Sequence, residues 1–210
     1  MIAGKSLPGA GALLLCAVLL AGCVSLLPKQ KPAQLYRFDN GAPAAATPTE
    51  AGRAFGVFKG RVAFDRAAAG DRILTVNGQQ VAYIAEARWA APAVILFDQA
   101  LSRAFDDSGG PARLVGRGQS GNSQYVLQLD VRDFAAVYEA GPESAPVILV
   151  RIRASLTRQG DRALIAEQTL ESRVQTSDNR VSAIAAGFDK AVTDTLGKLI
   201  AWTNASAKSA

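Results

Sequence analysis

The chain has 210 residues, of which 49% are hydrophobic and 20% charged, with 23 Lys and Arg against 18 Asp and Glu. It contains no histidine and two cysteines. This excludes Ser-His-Asp and Cys-His catalysis, histidine metal ligands and a cysteine zinc site. The apolar fraction excludes a disordered chain, and the length is that of one domain with an appendage.

The first residues are typical of a secretory leader. Lys5 supplies the positive charge, residues 11–20 form an apolar block, and the small residues Ala21 and Gly22 precede Cys23. The segment ending in Cys23 resembles the bacterial lipobox. That resemblance implies cleavage between Gly22 and Cys23 and acylation of the Cys23 thiol, with palmitate among the acyl chains.

Two other interpretations of this segment remain open. Residues 10–27 are nearly long enough for a membrane-spanning helix, although Gly22 interrupts the segment and Pro28 follows it. The other is an ordinary leader with a chance cysteine. If the lipobox interpretation holds, Cys16 leaves with the leader and the mature chain keeps no free thiol.

The anchoring lipid implies membrane attachment without a spanning helix. Val24 follows the cysteine, whereas an Asp at that place is the usual inner-membrane retention signal of such lipoproteins. We therefore predict the periplasmic face of the outer membrane. Without the leader and its Lys5 the net charge is +4, mild and scattered, and we predict no nucleic-acid partner.

Composition predicts the domain organisation. Residues 1–22 form the leader, and residues 23–54 form a lipidated tether with a short strand near 35–38. Residues 55–203 form the domain, and residues 204–210 a disordered tail. Proline, glycine and alanine fill the second half of the tether.

A hairpin and a helix are predicted at the start of the domain. Two β-type runs, 72–76 and 80–84, flank Asn77-Gly78 and Gln79, and the Asn-Gly pair predicts a hairpin with a type I′ turn. Apolar residues at spacings of three and four predict a helix over 92–106, which Pro92 begins.

Three half-buried strands follow, around 127–131, 148–156 and 164–174, because apolar and polar residues alternate in each. The turn near residue 160 predicts a register that places Arg153 opposite Glu167 on the solvent face.

A long helix over 181–202 closes the chain, with Asp178 as its N-cap. Gly187 within it predicts close helix–sheet contact. We predict an α+β fold, a single domain in which an antiparallel or mixed sheet carries two main helices on one face.

Catalytic motifs are weak. Residues 116–121 match the dinucleotide pattern G-x-G-x-x-G, but a strand pattern follows where a helix is required. A carboxylate pair remains a formal alternative for hydrolysis. Its candidates are Asp130, Asp133, Glu167 and Glu171.

Tyr83, Arg88 and Trp89 are candidate partner contacts, because aromatic residues and arginine are preferred at interfaces. The alternative for Trp89 is a core position at the end of the sheet.

Together these features resemble the ABC-type transport auxiliary lipoprotein family, the paraquat-inducible-protein-C-like group. Phe38 departs from the leucine more frequent in that family. The matching segments are Leu20–Cys23, Tyr36–Phe38, Arg72–Leu74, Tyr83, Ala87–Trp89, the helix with Leu101, the strand with Phe134, and Ala186–Ala191 with Trp202.

The resemblance implies a non-catalytic accessory component of an MCE-type ABC system that moves phospholipid or other hydrophobic molecules across the Gram-negative envelope. Its partners would be an MCE-domain protein and the permease and ATPase of the transporter, and a homo-oligomer is plausible. Alternatives are an envelope assembly lipoprotein that guides an outer-membrane β-barrel, and a carboxylate-based periplasmic hydrolase. No cofactor is expected apart from the covalent lipid on Cys23.

Overall fold

The computed structural model describes residues 32–38, 55–116, 118 and 123–208. Within these ranges the chain forms eight strands and two helices, here numbered separately in chain order. The strands are β1 (Gln34–Tyr36), β2 (Phe55–Phe64), β3 (Arg72–Asn77), β4 (Gln80–Trp89), β5 (Ala112–Val115), β6 (Tyr125–Val137), β7 (Val147–Arg158) and β8 (Leu164–Gln175), and the helices are α1 (Ala93–Asp107) and α2 (Val181–Lys208).

Strand β6 is the centre of the sheet. Its whole length pairs with β7 in antiparallel register, from Tyr125↔Arg158 to Val137↔Val147. Strands β2 and β3 share its other edge end to end, both parallel to it. One face of β6 and β7 is buried, because apolar residues alternate along both strands.

The sheet continues outward from β6 on both sides. On one side the order is β3, β4 and β1, with an antiparallel β3–β4 pair and a parallel β4–β1 pair. On the other side β7 pairs with β8 in antiparallel register. Strand β5 pairs with β2 in parallel register. The sheet is therefore mixed, and β1 and β8 lie at opposite edges.

Both helices contribute their apolar faces to a common core with the sheet. The buried residues of α1, which include Leu96, Phe97 and Leu101, recur at helical spacing. Helix α2 packs along β7 and β8. These features confirm the predicted α+β fold class with two helices on one face of a mixed sheet. Within the described residues, neither helix has the apolar length to span a bilayer.

Gly187 confirms the close helix–sheet contact that the sequence predicts. A β-carbon placed there would lie 2.7 Å from Ile148 Cγ1 and 3.0 Å from Thr176 Cγ2. Ile148 is fully buried and has no room to retreat. Only a glycine therefore lets α2 lie this close to β7.

The hairpin is confirmed, but its turn differs from the prediction. Asn77 pairs with Gln80, so Gly78 and Gln79 form the two-residue loop. Of these, only Gly78 has a positive φ, at +58°, whereas a type I′ turn needs two. Asn77 belongs to the strand, because the ladder extends one residue further than its sequence pattern indicates.

The register of β8 also differs from the prediction. Arg153 lies opposite Thr169 and reaches Glu167 diagonally, at 2.6 Å. Leu164, predicted to face the core, is 60% exposed, because it stands at the open corner of the sheet beside Thr157.

Asp178 is not the N-cap of α2, which begins at Val181. Its Oδ1 instead accepts a 2.7 Å hydrogen bond from the Arg180 backbone amide, closing a turn just before the helix. Similarly, Pro92 precedes α1 as its N-cap instead of occupying its first turn.

The domain boundaries move outward at both ends. The compact unit begins at Ala33, not at residue 55, because β1 joins the main sheet and Phe38 is fully buried. Helix α2 continues to Lys208, so the predicted disordered tail over 204–210 is wrong for residues 204–208. The hydroxyl of Tyr125 donates to the carbonyl of Ala207 and holds this last turn against the sheet.

We expect Gly187→Ala to lower the free energy of unfolding by about 1–2 kcal/mol, because overpacking outweighs the gain in helix propensity. Gly197→Ala is the matched control in the same helix, since nothing lies within 4 Å of a β-carbon there. It should raise stability by up to about 1 kcal/mol. Urea unfolding followed by the fluorescence of buried Trp89 measures both, and equal effects would contradict the close-contact explanation.

Candidate functional site

Gly22 and Cys23, the predicted cleavage and lipidation residues, lie outside the described residues. The described chain closest to them in sequence is the segment that leads into β1. The candidate site is therefore the edge of the sheet formed by β1, β4 and β3.

Trp89 is a core residue, not a partner contact. Its side chain is 2% exposed and packs edge-on against Phe38 and Phe188, with ring centroids 5.1 Å away in both cases. Its predicted surface role is wrong, because the inward face of β4 meets α2 at this position.

Arg88 lies on the side of β4 away from the core, and Tyr83 lies at the margin of the core. The Arg88 guanidinium is about half exposed and donates to Asp71 Oδ2 at 2.9 Å. The Arg72 guanidinium carbon lies 3.7 Å from the centroid of the half-buried Tyr83 ring, and the Tyr83 hydroxyl donates to the Ala67 carbonyl. Both predicted residues are therefore fixed in place, and the Tyr83 ring supports the cation above it.

A bulge divides β4 into two halves. Arg72 pairs with Arg88 but Leu74 pairs with Tyr83, so β4 carries extra residues around Ile84–Glu86. Glu86 adopts a φ of +56°, in the left-handed region that a side chain disfavours. The bulge marks the point where the neighbour on the outer edge of β4 changes.

The two halves of β4 differ in what covers their outer edge. Strand β1 pairs only with Ala87–Trp89. Among the described residues no strand pairs with the outer edge of residues 80–86. Val81 is 58% exposed there, and Ala82 is exposed as well. Unpaired main-chain groups beside small apolar side chains make this open half of β4 competent to accept a strand from a partner.

The covered half of β4 carries a row of exposed side chains. Leu35, Arg88 and Arg72 lie directly opposite one another across β1, β4 and β3. Their neighbours Trp89 and Ile73 point into the core, so the row lies on the sheet face away from it. Leu35 is 66% exposed. An exposed leucine thus stands beside two arginines.

Ion pairs cover the rest of this outer face. Arg151 bridges Asp133 and Glu171, at 3.3 and 2.8 Å. Arg153 binds Glu167, and this hydrogen bond raises the pKa of the Arg153 guanidinium. Such exposed pairs contribute little stability individually but keep this face solvated.

The carboxylates offer poor hydrolase geometry. Asp130 and Glu167 line a shallow depression of about 390 Å³, and both are bonded to arginines, at 3.1 and 2.6 Å. A glycosidase needs two carboxyl groups that contact the substrate, whereas these two are occupied by their arginine partners. Within the described ranges no group of three or more acidic or cysteine side chains could hold a metal.

The glycine-rich segment does not lead into a helix. Of residues 116–121 the structure describes Gly116 and Gly118, and β6 begins at Tyr125. The phosphate-binding helix N-terminus that the dinucleotide motif needs does not follow it.

Comparison with known families identifies the class of protein. The chain matches the family described as ABC-type transport auxiliary lipoprotein component over residues 36–200. The chain therefore belongs to the ABC-type transport auxiliary lipoprotein family. The resemblance found in the sequence is confirmed, and no curated protein sequence matches closely enough to serve as a relative.

Solved structures share the fold. A Xanthomonas campestris protein of the DUF330 family is 25% identical, with a TM-score of 0.68, and the match covers 84% of this chain and 97% of that one. The hypothetical protein CT253 from Chlamydia trachomatis is 10% identical, with a TM-score of 0.53, over 72% of this chain and 96% of that one. The second likeness concerns the fold alone.

Sequence reasoning missed the role of β1 and the open half of β4. The run Leu35–Phe38 signalled a strand, but a three-residue strand carries no sign of its partner. The available signal was Val81, an apolar residue in a β-type run next to a tight turn, because edge strands often adjoin such turns. Its exposure is visible only in the structure.

We expect Glu86→Gly to raise the free energy of unfolding by about 1 kcal/mol, because glycine adopts positive φ without the steric cost of a β-carbon. Glu86→Ala removes the same carboxylate but keeps the β-carbon and should give no such gain. Chemical unfolding compares the two. If both variants are equally stabilised, the charge and not the backbone is responsible.

Proposed function

We propose that this protein is a periplasmic lipoprotein anchored in the outer membrane through a lipid on Cys23. In this proposal it is a non-catalytic docking component of an MCE-type ABC system that transports phospholipid or other hydrophobic molecules. The observation that carries the proposal is the family match over residues 36–200, which begins within β1 and ends in α2. The proposed partners are an MCE-domain protein and, through it, the permease and ATPase.

The surface of the domain supports a contact role. The outer face carries exposed ion pairs, and Asp130 and Glu167 in its depression are both bonded to arginines. The open half of β4 instead offers the exposed Val81 and main chain that no strand among the described residues pairs with. A partner strand added at this edge would gain main-chain hydrogen bonds without rearrangement of the sheet. Tyr83 lies in the middle of that half, and we propose it as part of the contact.

Cys23→Ala should abolish palmitate incorporation and release the protein from the membrane fraction or leave it uncleaved. The physical reason is that the variant lacks the thiol to which the proposed lipid is attached. Metabolic labelling and membrane fractionation measure this outcome. Unchanged processing and fractionation would contradict the lipobox interpretation and favour a spanning helix or an ordinary leader.

Val24→Asp tests the choice of membrane with lipidation intact. It should move the protein from outer-membrane to inner-membrane fractions of a density gradient. Val24→Ala is the control and should leave the distribution unchanged. If wild-type protein already bands with the inner membrane, the proposed location is wrong while lipidation stands.

Val81→Arg should reduce the co-purification of an MCE-domain protein by about tenfold, because a long cation at the open edge obstructs strand addition. Leu164→Arg is the matched control at the opposite edge, where Leu164 is 60% exposed. It should leave recovery unchanged. Affinity purification of the tagged full chain after cross-linking in the native envelope, with mass spectrometry, measures both.

The same purification separates the alternatives. Wild-type recovery of an outer-membrane β-barrel without any MCE-domain protein would support the assembly-factor alternative. Equal recovery of the MCE-domain protein with both variants would place the contact away from the open half of β4. The amount of an untagged copy that co-purifies with the tagged chain tests the proposed homo-oligomer.

A further inference from the structure

The covered half of β4 and β1 together present cations around an exposed leucine. We define the basic edge as Leu35, Arg37, Arg72 and Arg88. All four are exposed, and Leu35 most clearly, at 66%. Leu35, Arg88 and Arg72 share one face because they lie opposite one another in the sheet.

Carboxylates lie around the three arginines of the basic edge. Asp71 is bonded to Arg88, Glu86 is exposed in the adjoining bulge, and Asp189 of α2 lines a depression together with Leu35 and Arg37. Arg72 stacks on Tyr83, and its charge remains available above the ring. Three arginines against three carboxylates balance each other, so the excess positive charge comes from the chain that precedes the edge.

The chain before the basic edge supplies the excess positive charge. From Cys23 to Phe38 it contains Lys29, Lys31 and Arg37 and no Asp or Glu. Each basic residue close to an anchor is attracted to an anionic leaflet, and the attractions of several such residues add up. The sequence next to the predicted lipid is therefore suited to anionic headgroups.

The length of the tether favours this edge as the one nearest the membrane. Leu35 follows Cys23 by twelve positions, a reach of about 40 Å at full extension and much less on average. Five strand spacings separate β1 from β8, roughly 24 Å. Placing the β8 edge on the membrane would force the tether to span the sheet, whereas the basic edge needs no extension.

We infer that the basic edge rests on the anionic phospholipid headgroups of the membrane that holds the anchor. This inference rests on the proposed lipidation of Cys23. The arginines donate to headgroup phosphates, and Leu35 enters the boundary between headgroups and acyl chains. The predicted interface residue Arg88 therefore faces lipid, while the open half of β4 beside it stays available to a protein.

Single thiols provide the test, because acylated Cys23 leaves the mature chain without a free one. Leu35→Cys is labelled with an environment-sensitive fluorophore, and Leu164→Cys on the opposite edge is the matched control. Mature lipidated protein is reconstituted into phosphatidylcholine vesicles with and without phosphatidylglycerol. Lipids spin-labelled near the headgroup quench any probe at the surface.

The fluorophore at residue 35 should be quenched in vesicles containing phosphatidylglycerol, and the fluorophore at residue 164 should not. Arg37→Gln in the Leu35→Cys protein should reduce the contact equilibrium about fivefold at low salt. High salt should remove the difference between the two vesicle types, since screening acts within about 10 Å at 0.1 M.

Vesicle flotation is measured first. Failure to float would overturn the lipid anchor and, with it, this inference. If the protein floats, equal quenching at both positions or at neither would overturn the basic edge alone and leave the anchor standing. Quenching at residue 35 that does not depend on phosphatidylglycerol or Arg37 would overturn the role of anionic headgroups.

Discussion

The aromatic cluster around Phe134 is the interaction on which the rest of the structure depends. Phe134 lies 4.8 Å from Phe188 of α2, 5.3 Å from Phe64 of β2 and 5.3 Å from Phe38, measured between ring centroids. Phe97 of α1 and Trp89 of β4 lie within 6.5 Å of it. Edge-on and tilted rings at such distances are favourable beyond their buried area. Both helices and three strands therefore meet on one side chain.

A bulge in β6 helps to place that side chain. Val131 pairs with Ile152 and Asp133 pairs with Arg151, so Arg132 is an extra residue. After this insertion Phe134 continues the buried face that Val131 ends. The same shift puts Asp133 beside Arg151 on the outer face. One extra residue thus sets both the core and the solvated side of the sheet.

The regular parts of this fold follow from sequence, and the irregular parts do not. Alternation in β7 and the helical spacing of α2 are long enough for periodicity to define the buried face. The slip in β8 lies at the turn end of its ladder, where Leu156 pairs with Ala166 but Thr157 pairs with Leu164. Alternation does not reveal such a bulge, because the register near a turn depends on turn geometry. The burial of Trp89 and the pairing of β1 depend on contacts distant in sequence. For the candidate site, the sequence pointed to residues of β4, but the burial of Trp89 and the different covering of the two halves of β4 are visible only in the structure.

The cluster also explains how the segment around β1 becomes part of the domain. Phe38 ends the short β1 segment and is fully buried against Trp89 and Phe134. Three paired residues alone would hold β1 weakly, so the buried ring supplies most of its attachment. Because Leu35 lies three residues before Phe38, the same attachment fixes the exposed leucine at the edge of the sheet. In the proposed anchored state, tension on the tether would thus be resisted by the centre of the core, and the open half of β4 would keep its geometry.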